Sequence, residues 1–186
     1  TMFGKTKNLE IGDIVELTDL ENDTIQYQIY DKFVTDPNDV TILATNDDGI
    51  FAEGFKHLVS WATKIGEVTI CAPKGQQSGK SQSLNLHSSF EVKKVEYPGV
   101  EEAYYVDSTP ADCVRFAFDV LGHFDLVLSG VNCGYNIGDD IAYSGTCGAM
   151  FDAAFWNSKA IAFSCSFSSY DSFPKYIDRV WECFES

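Results

Sequence analysis

Asn46-Asp47-Asp48-Gly49 places two neighbouring carboxylates directly after the apolar run Val40 to Thr45. Adjacent acids concentrate negative charge in a small volume, and that charge needs compensation. A hard divalent cation is one source of it, because Mg²⁺ or Mn²⁺ favours oxygen ligands and is typically held by one or two carboxylates plus neutral oxygens and waters. Read more plainly, the same residues make an ordinary helix cap and turn, where Asn, Asp and Gly are all common.

Two further loops offer neutral oxygens. Ala72 to Ser81 offers hydroxyls, those of Ser78 and Ser81, and backbone N–H groups, and Ser129 to Asp140 is crowded with glycine and neutral oxygen donors such as Asn132 and Asn136. Glycine lets a backbone approach a ligand closely. The run G-x-x-x-G-K-S from Gly75 to Ser81 superficially resembles a phosphate-binding P-loop, but Gly75 and Gly79 are one residue too close together, and that reading is rejected. Ser144-Gly145-Thr146 stands just before an expected helix, whose free N–H groups and dipole favour a phosphate; a simple Ser or Thr cap explains the same triplet. Taken jointly, carboxylates, neutral oxygens and a helix N-terminus make a metal-assisted phosphoester site.

Such a site requires the three loops to leave one edge of a sheet. From residue 40 onward, short β-rich runs alternate with helical patterns, the signature of a parallel sheet with helices on its faces. Val40 to Thr45, a helix over Gly54 to Lys64 with Phe55, Leu58, Val59 and Ala62 at helical spacing, and Val68 to Ala72 make a βαβ unit. Leu84 to Leu86, Phe90 to Tyr97 and Ala103 to Val106 read as strands, and Pro110 opens a helix through Leu121. Leu126 to Leu128, a helix from about Thr146 to Asn157, Ala160 to Ser164 and a last helical pattern from Pro174 complete the order. In an open α/β sheet, ligands bind outside the carboxyl ends of the strands, where all three loops lie. Before residue 40 the chain has a different character: Ile11 to Thr18 and Ile25 to Tyr30 read as a β-hairpin around the polar turn Asp19 to Thr24.

Composition sets the outer limits. The 186 residues are 45% hydrophobic and carry 28 acidic against 13 basic side chains, a formal charge of −15 that repels phosphate backbones and anionic lipid, so a nucleic-acid duplex and a membrane surface are poor partners. No uncharged apolar run approaches the ~18 to 20 residues of a spanning helix, and the first thirty residues do not read as a secretion signal. The six cysteines include no C-x-x-C pair, and the three histidines are widely spaced, which argues against zinc or redox motifs and for reduced thiols in a cytoplasmic protein.

The motifs together resemble the SurE survival-protein nucleotidases. The similarity covers Val40 to about Phe167 and rests on five segments in order: T-I-L-A-T-N-D-D-G-I, A-P-x-x-x-x-S-G-x-S at Ala72 to Ser81, T-P-A-D-C-V at Thr109 to Val114, S-G-V-N-x-G-x-N-I-G-D-D at Ser129 to Asp140, and Y-S-G-T at Tyr143 to Thr146. The resemblance implies a Rossmann-like three-layer core and one divalent metal held by Asp47, Asp48, Ser78 and Asn132. It also implies hydrolysis of nucleoside 5′- or 3′-monophosphates with Asp47, Asp48 and Asn136 in catalytic positions and Ser144, Gly145 and Thr146 at the phosphate. The chain departs from the pattern at Glu53, Ser108, Cys133 and Tyr135, changes expected to alter loop shape and base selectivity. Residues 1–39 are foreign to the family and weakly resemble a strand pair of a sortase barrel, without the Cys, His and Arg that a sortase needs. Residues 40–186 read as a nucleotidase core that stops before the family's usual C-terminal segment, which bears on homodimer formation and on activity; the alternative function is a non-catalytic nucleotide- or phosphate-binding remnant.

Overall fold

In the computed structural model the described residues are 14–18, 24–28 and 40–185, and the chain divides into two compact units, Thr1–Asp36 and Pro37–Ser186. In the first unit, β1 (Ile14–Thr18) pairs antiparallel with β2 (Thr24–Gln28), with Ile14 opposite Gln28. The expected turn between them, the outer ends of both expected strands and nearly all of the sortase-like stretches lie outside the described residues.

The second unit holds a six-stranded sheet. Its strands are β3 (Thr41–Thr45), β4 (Glu67–Pro73), β5 (Val92–Lys94), β6 (Glu102–Val106), β7 (Leu126–Cys133) and β8 (Lys159–Cys165), in the spatial order β5-β6-β4-β3-β7-β8. All neighbours run parallel except β5, which pairs antiparallel with β6 at the edge. β3 is buried along nearly its whole length, as a central strand covered on both faces must be. Its residues alternate between two cores: Ile42 and Ala44 face one, Leu43 the other.

Helices α1 (Glu53–Ala62) and α5 (Ser172–Glu185) build the first core. Phe55, Leu58, Val59 and Ala62 of α1 are buried at helical spacing, and Phe173 and Ile177 of α5 join them. Trp61 ties the two helices: its Nε1 donates to Asp178 Oδ1 at 3.0 Å, and its ring meets that of Trp181 edge-on at 5.5 Å. Helices α2 (Pro110–Phe116) and α4 (Gly145–Ala154) cover the opposite face through Cys113, Val114, Ala149 and Ala153. The result is a Rossmann-like α/β/α layering. A single turn, α3 (Asp140–Tyr143), leads into α4.

Some expected elements end differently. Leu84–Leu86 forms no strand, and of Phe90–Tyr97 only Val92–Lys94 forms a strand, with Tyr97 making an isolated bridge to Val100; Leu86 is 76% exposed, so its apolar side chain has no core to hold it in a sheet. The helix after Pro110 changes to a wider π-helical turn over Ala117–Leu121, and α4 stops at Ala154, three residues early. Asn157 takes a left-handed φ of 58° there, which ends the helix and turns the chain into β8.

Candidate active site

β3 leads to β4 on one side and is flanked by β7 on the other, so the strand order reverses at β3. A crevice opens at the carboxyl ends of strands around such a reversal. A cavity of about 510 Å³ lies there, lined by residues from all three loops singled out above: Asp47 and Asp48, then Gln76 and Ser78, then Asn132 and Asn136.

The first loop is anchored before it presents its acids. Asn46 is buried, its Nδ2 donates to the Gly49 carbonyl at 2.9 Å, and Ile50 N donates to the Pro73 carbonyl at 2.9 Å, which laces the loop to the end of β4. Asp47 is 3% exposed, and Thr146 Oγ1 donates to its Oδ1 at 2.6 Å. Gly145 makes room for this arrangement: a Cβ there would stand 2.9 Å from Asp47 Cβ and 3.0 Å from Oδ2. Asp48 is half-buried, and its pKa is raised above the ordinary aspartate value by burial first and the Asp47 charge second, against hydrogen bonds from the Cys133 backbone and the Gln76 side chain.

The other two loops supply neutral donors. Gln76 Nε2 donates to Ser78 Oγ at 3.2 Å, so one amide steadies both Ser78 and Asp48. β7 carries a bulge between Ser129 and Asn132, which turns the strand end toward the cavity. Gly130 permits it, with φ 130° and a Cβ position only 2.5 Å from the Phe163 carbonyl oxygen. Asn132 Nδ2 donates to the Gly134 carbonyl at 2.8 Å, which leaves its oxygen as the end available to a cation. Asn136 Nδ2 donates to Ser164 Oγ at 3.0 Å.

At α4 the expected cap is present: Ser144 Oγ accepts from Cys147 N at 3.2 Å, and Ser144 lines the cavity. Gly145 and Thr146 stand behind Asp47 rather than in the cavity wall, and the Thr146 hydroxyl is engaged with a carboxylate. Sequence reasoning missed that role, and it missed Gln76. Only the Y-S-G-T and A-P motifs flagged their neighbourhoods. The P-loop likeness also finds no support, since residues 74–81 run through bends and turns with no helix following.

A hard cation fits this donor set. The wall offers the carboxylates of Asp47, Asp48 and Asp140 together with hydroxyl and amide oxygens, and no Lys, Arg or His, so nothing in the wall itself neutralises the acids. Among the described residues no three His, Cys, Asp or Glu converge, which sets the site apart from zinc-type centres. Cys71, Cys113, Cys147 and Cys165 are buried thiols, Cys133 is an exposed one, and no described helix is long and apolar enough to cross a membrane.

Comparison with known proteins agrees with the layout. The family model described as survival protein SurE matches residues 42–184. A 5′-nucleotidase SurE of Clostridium botulinum (strain Kyoto / Type A2) is 45% identical over 130 residues, 69% of this chain and 52% of that protein. The 5′-nucleotidase SurE of Vibrio vulnificus (strain YJ016) is 47% identical over 126 residues, covering 66% and 48% respectively. The crystal structure of the SurE protein from Aquifex aeolicus superposes with a TM-score of 0.70 at 32% identity, over 78% of this chain and 60% of that one. The chain spans about half the length of the curated relatives it matches.

Proposed function

This chain belongs to the SurE family, and from its cavity we propose that it is a metal-dependent phosphomonoesterase of nucleoside 5′-monophosphates that also accepts 3′-monophosphates. The observation that carries the reading is the convergence of Asp47, Asp48, Ser78 and Asn132 on one wall free of basic side chains, with Ser144 beside them at the start of α4. These four residues would hold one Mg²⁺ or Mn²⁺, which supplies charge for the phosphoryl oxygens and lowers the pKa of an attacking water.

The remaining work falls to the chain. Thr146 orients Asp47, and Gln76 orients Asp48 and Ser78. The backbone N–H groups opening α4 face an anion favourably, since the helix dipole adds to their hydrogen bonds. Asn136 uses one amide hydrogen on Ser164 and keeps the second for a phosphoryl oxygen. One carboxylate of the Asp47–Asp48 pair accepts the proton of the water, and no covalent intermediate is needed. The domain reading follows: residues 40–186 are the nucleotidase core that carries the site, and residues 1–39 are an N-terminal β-hairpin extension. The buried thiols suit a reducing cytoplasm.

The test is phosphate release from AMP and GMP by the pure protein. Turnover that requires Mn²⁺ or Mg²⁺, stops in EDTA and returns with excess cation supports the reading. Nucleotide binding without turnover points to the non-catalytic alternative, and metal-independent turnover rejects the cation's role.

A further inference from the structure

Asp152 of α4 is fully buried, yet it takes no part in the cavity wall. Its Oδ1 accepts from Arg115 Nε of α2 at 3.1 Å and from Gln82 Nε2 at 3.3 Å, while its Oδ2 is buried without a partner. A half-satisfied carboxylate is a poor means of packing two helices. Ala149 and Ala153 on the same helix already share a core with Cys113 and Val114 of α2, and an apolar side chain in place of a buried acid is often as stable or more so. Arg115 is 44% exposed along its side chain, so water can serve its charge without Asp152. What the acid supplies and an apolar residue does not is an acceptor for Gln82.

Gln82 follows closely on Ser78 in the chain. Upstream of Ser78 the segment is fastened, because Lys74 N donates to the Val106 carbonyl at 2.8 Å and Gln77 N to the Asp47 carbonyl at 2.6 Å. Ser78, Gly79 and Lys80 are exposed, and a Cβ on Gly79 would meet nothing within 4 Å, so packing does not place Ser78. Downstream the chain turns at Ser81 with a left-handed φ of 56°, a conformation that serine keeps only where its surroundings hold it. Those surroundings belong largely to α4. A Cβ on Gly148 would stand 2.1 Å from the Ser81 carbonyl oxygen, Ser81 N donates to the Tyr143 carbonyl at 3.0 Å, and Gln82 reaches Asp152. Resting on the cation site proposed above, we propose that Asp152 is a positioning residue for Ser78: through Gln82 it fastens the downstream end of the exposed arc to α4 and keeps the Ser78 hydroxyl turned to Asp47 and Asp48. α4 thereby supports two of the four metal-binding residues, Asp47 through Thr146 and Ser78 through Asp152.

The experiment measures Mn²⁺ affinity by calorimetry and the rate of trypsin cleavage after Lys80 in wild type, Asp152→Leu, Asp152→Asn, Gln82→Leu and the double variant Asp152→Leu/Gln82→Leu. Cleavage after the exposed Lys64, beyond α1 on the other face of the sheet, is the control. Asp152→Leu is expected to keep or raise Tm, weaken Mn²⁺ binding about 10-fold and speed cleavage after Lys80 about 10-fold, with Lys64 unaffected. Gln82→Leu is expected to match it, the double variant to lose no more than either, and Asp152→Asn, which still offers Gln82 an oxygen, to stay near wild type. Gln82→Leu, at a half-buried position, carries the test if Asp152→Leu does not fold. Unchanged cleavage after Lys80, an equal rise after Lys64, or a loosened arc with Mn²⁺ affinity intact overturns the proposal; so does a loss in Asp152→Asn as large as in Asp152→Leu. If wild type binds no Mn²⁺, the cation reading fails by itself. The fastening then stands if the leucine variants open the chain after Lys80 alone, and it falls if they do not.

Discussion

Acids gather in two places on this sheet and are treated in opposite ways. Along the β5–β6 edge, Lys74 Nζ stands 3.3 Å from both Glu91 and Asp107, Lys94 pairs with Glu102, and the hydroxyls of Tyr105 and Tyr104 donate to Glu91 and Glu102. The Tyr105 hydroxyl and then Lys74 hold Glu91 below the ordinary glutamate value, and Lys94 and then Tyr104 do the same for Glu102. At the β3 rim, Asp47 and Asp48 are withdrawn from water and lined by no basic residue, and burial pushes Asp48 up. The exposed edge therefore brings its own countercharge and is structural. The rim leaves its charge unanswered, and that difference sets the surface ladder apart from the site proposed above to hold a cation.

Substitutions test the contrast. Asp47→Asn removes one of the two charges, and a loss of metal-dependent phosphatase activity of more than about 100-fold is expected with the fold intact by circular dichroism, because second-sphere changes alone cost 10–100-fold. Activity at the wild-type level would place the cation elsewhere. Gly145→Val drives a branched side chain into Asp47, so it is expected to cost about 1–3 kcal/mol in chemical denaturation and to weaken Mn²⁺ binding as well. Thr146→Val keeps the volume and deletes only the hydrogen bond to Asp47; Mn²⁺ affinity measured by calorimetry is expected to fall about 10-fold.

Smaller effects belong to acids the chain already satisfies. Asp125 accepts from Thr41 Oγ1 and N at 2.6 and 2.9 Å, and these bonds hold its pKa below the ordinary aspartate value. A lowered folded-state pKa gives stability that is complete above the unfolded-state value and is lost as pH falls through the folded one. The gap in Tm between wild type and Asp125→Ala, present at neutral pH, is therefore expected to close in acid below the ordinary aspartate range. Glu102→Gln, on the exposed ladder, is expected to leave Tm within about 2 °C and phosphate release unchanged. A large loss there would erase the distinction between the two regions.

Much of the fold was legible because local pattern and final environment agree. β3 reads as an unbroken apolar run and is buried on both faces, and α1 buries the four residues its spacing marks out. Where local pattern lacked a core to meet, it misled: Leu84–Leu86 has the composition of a strand, and no neighbour pairs with it. Asp47, Asp48, Ser78 and Asn132 were legible as oxygen donors at strand ends. Gln76 was not, because a glutamine in a polar loop carries no signal until its partners are in place.

Residue order by itself determined the alternation of strand and helix, the capping serine before α4, the chemical types in each loop and the net charge of −15. Only the tertiary structure decided that those loops meet. Thr146 lies 99 residues from the Asp47 it orients, and Gly145 matters through an atom it lacks beside a carboxylate from another strand. Such relations depend on the order β4-β3-β7 within the sheet, and strand order is set by which buried faces pack together rather than by any local preference of the chain.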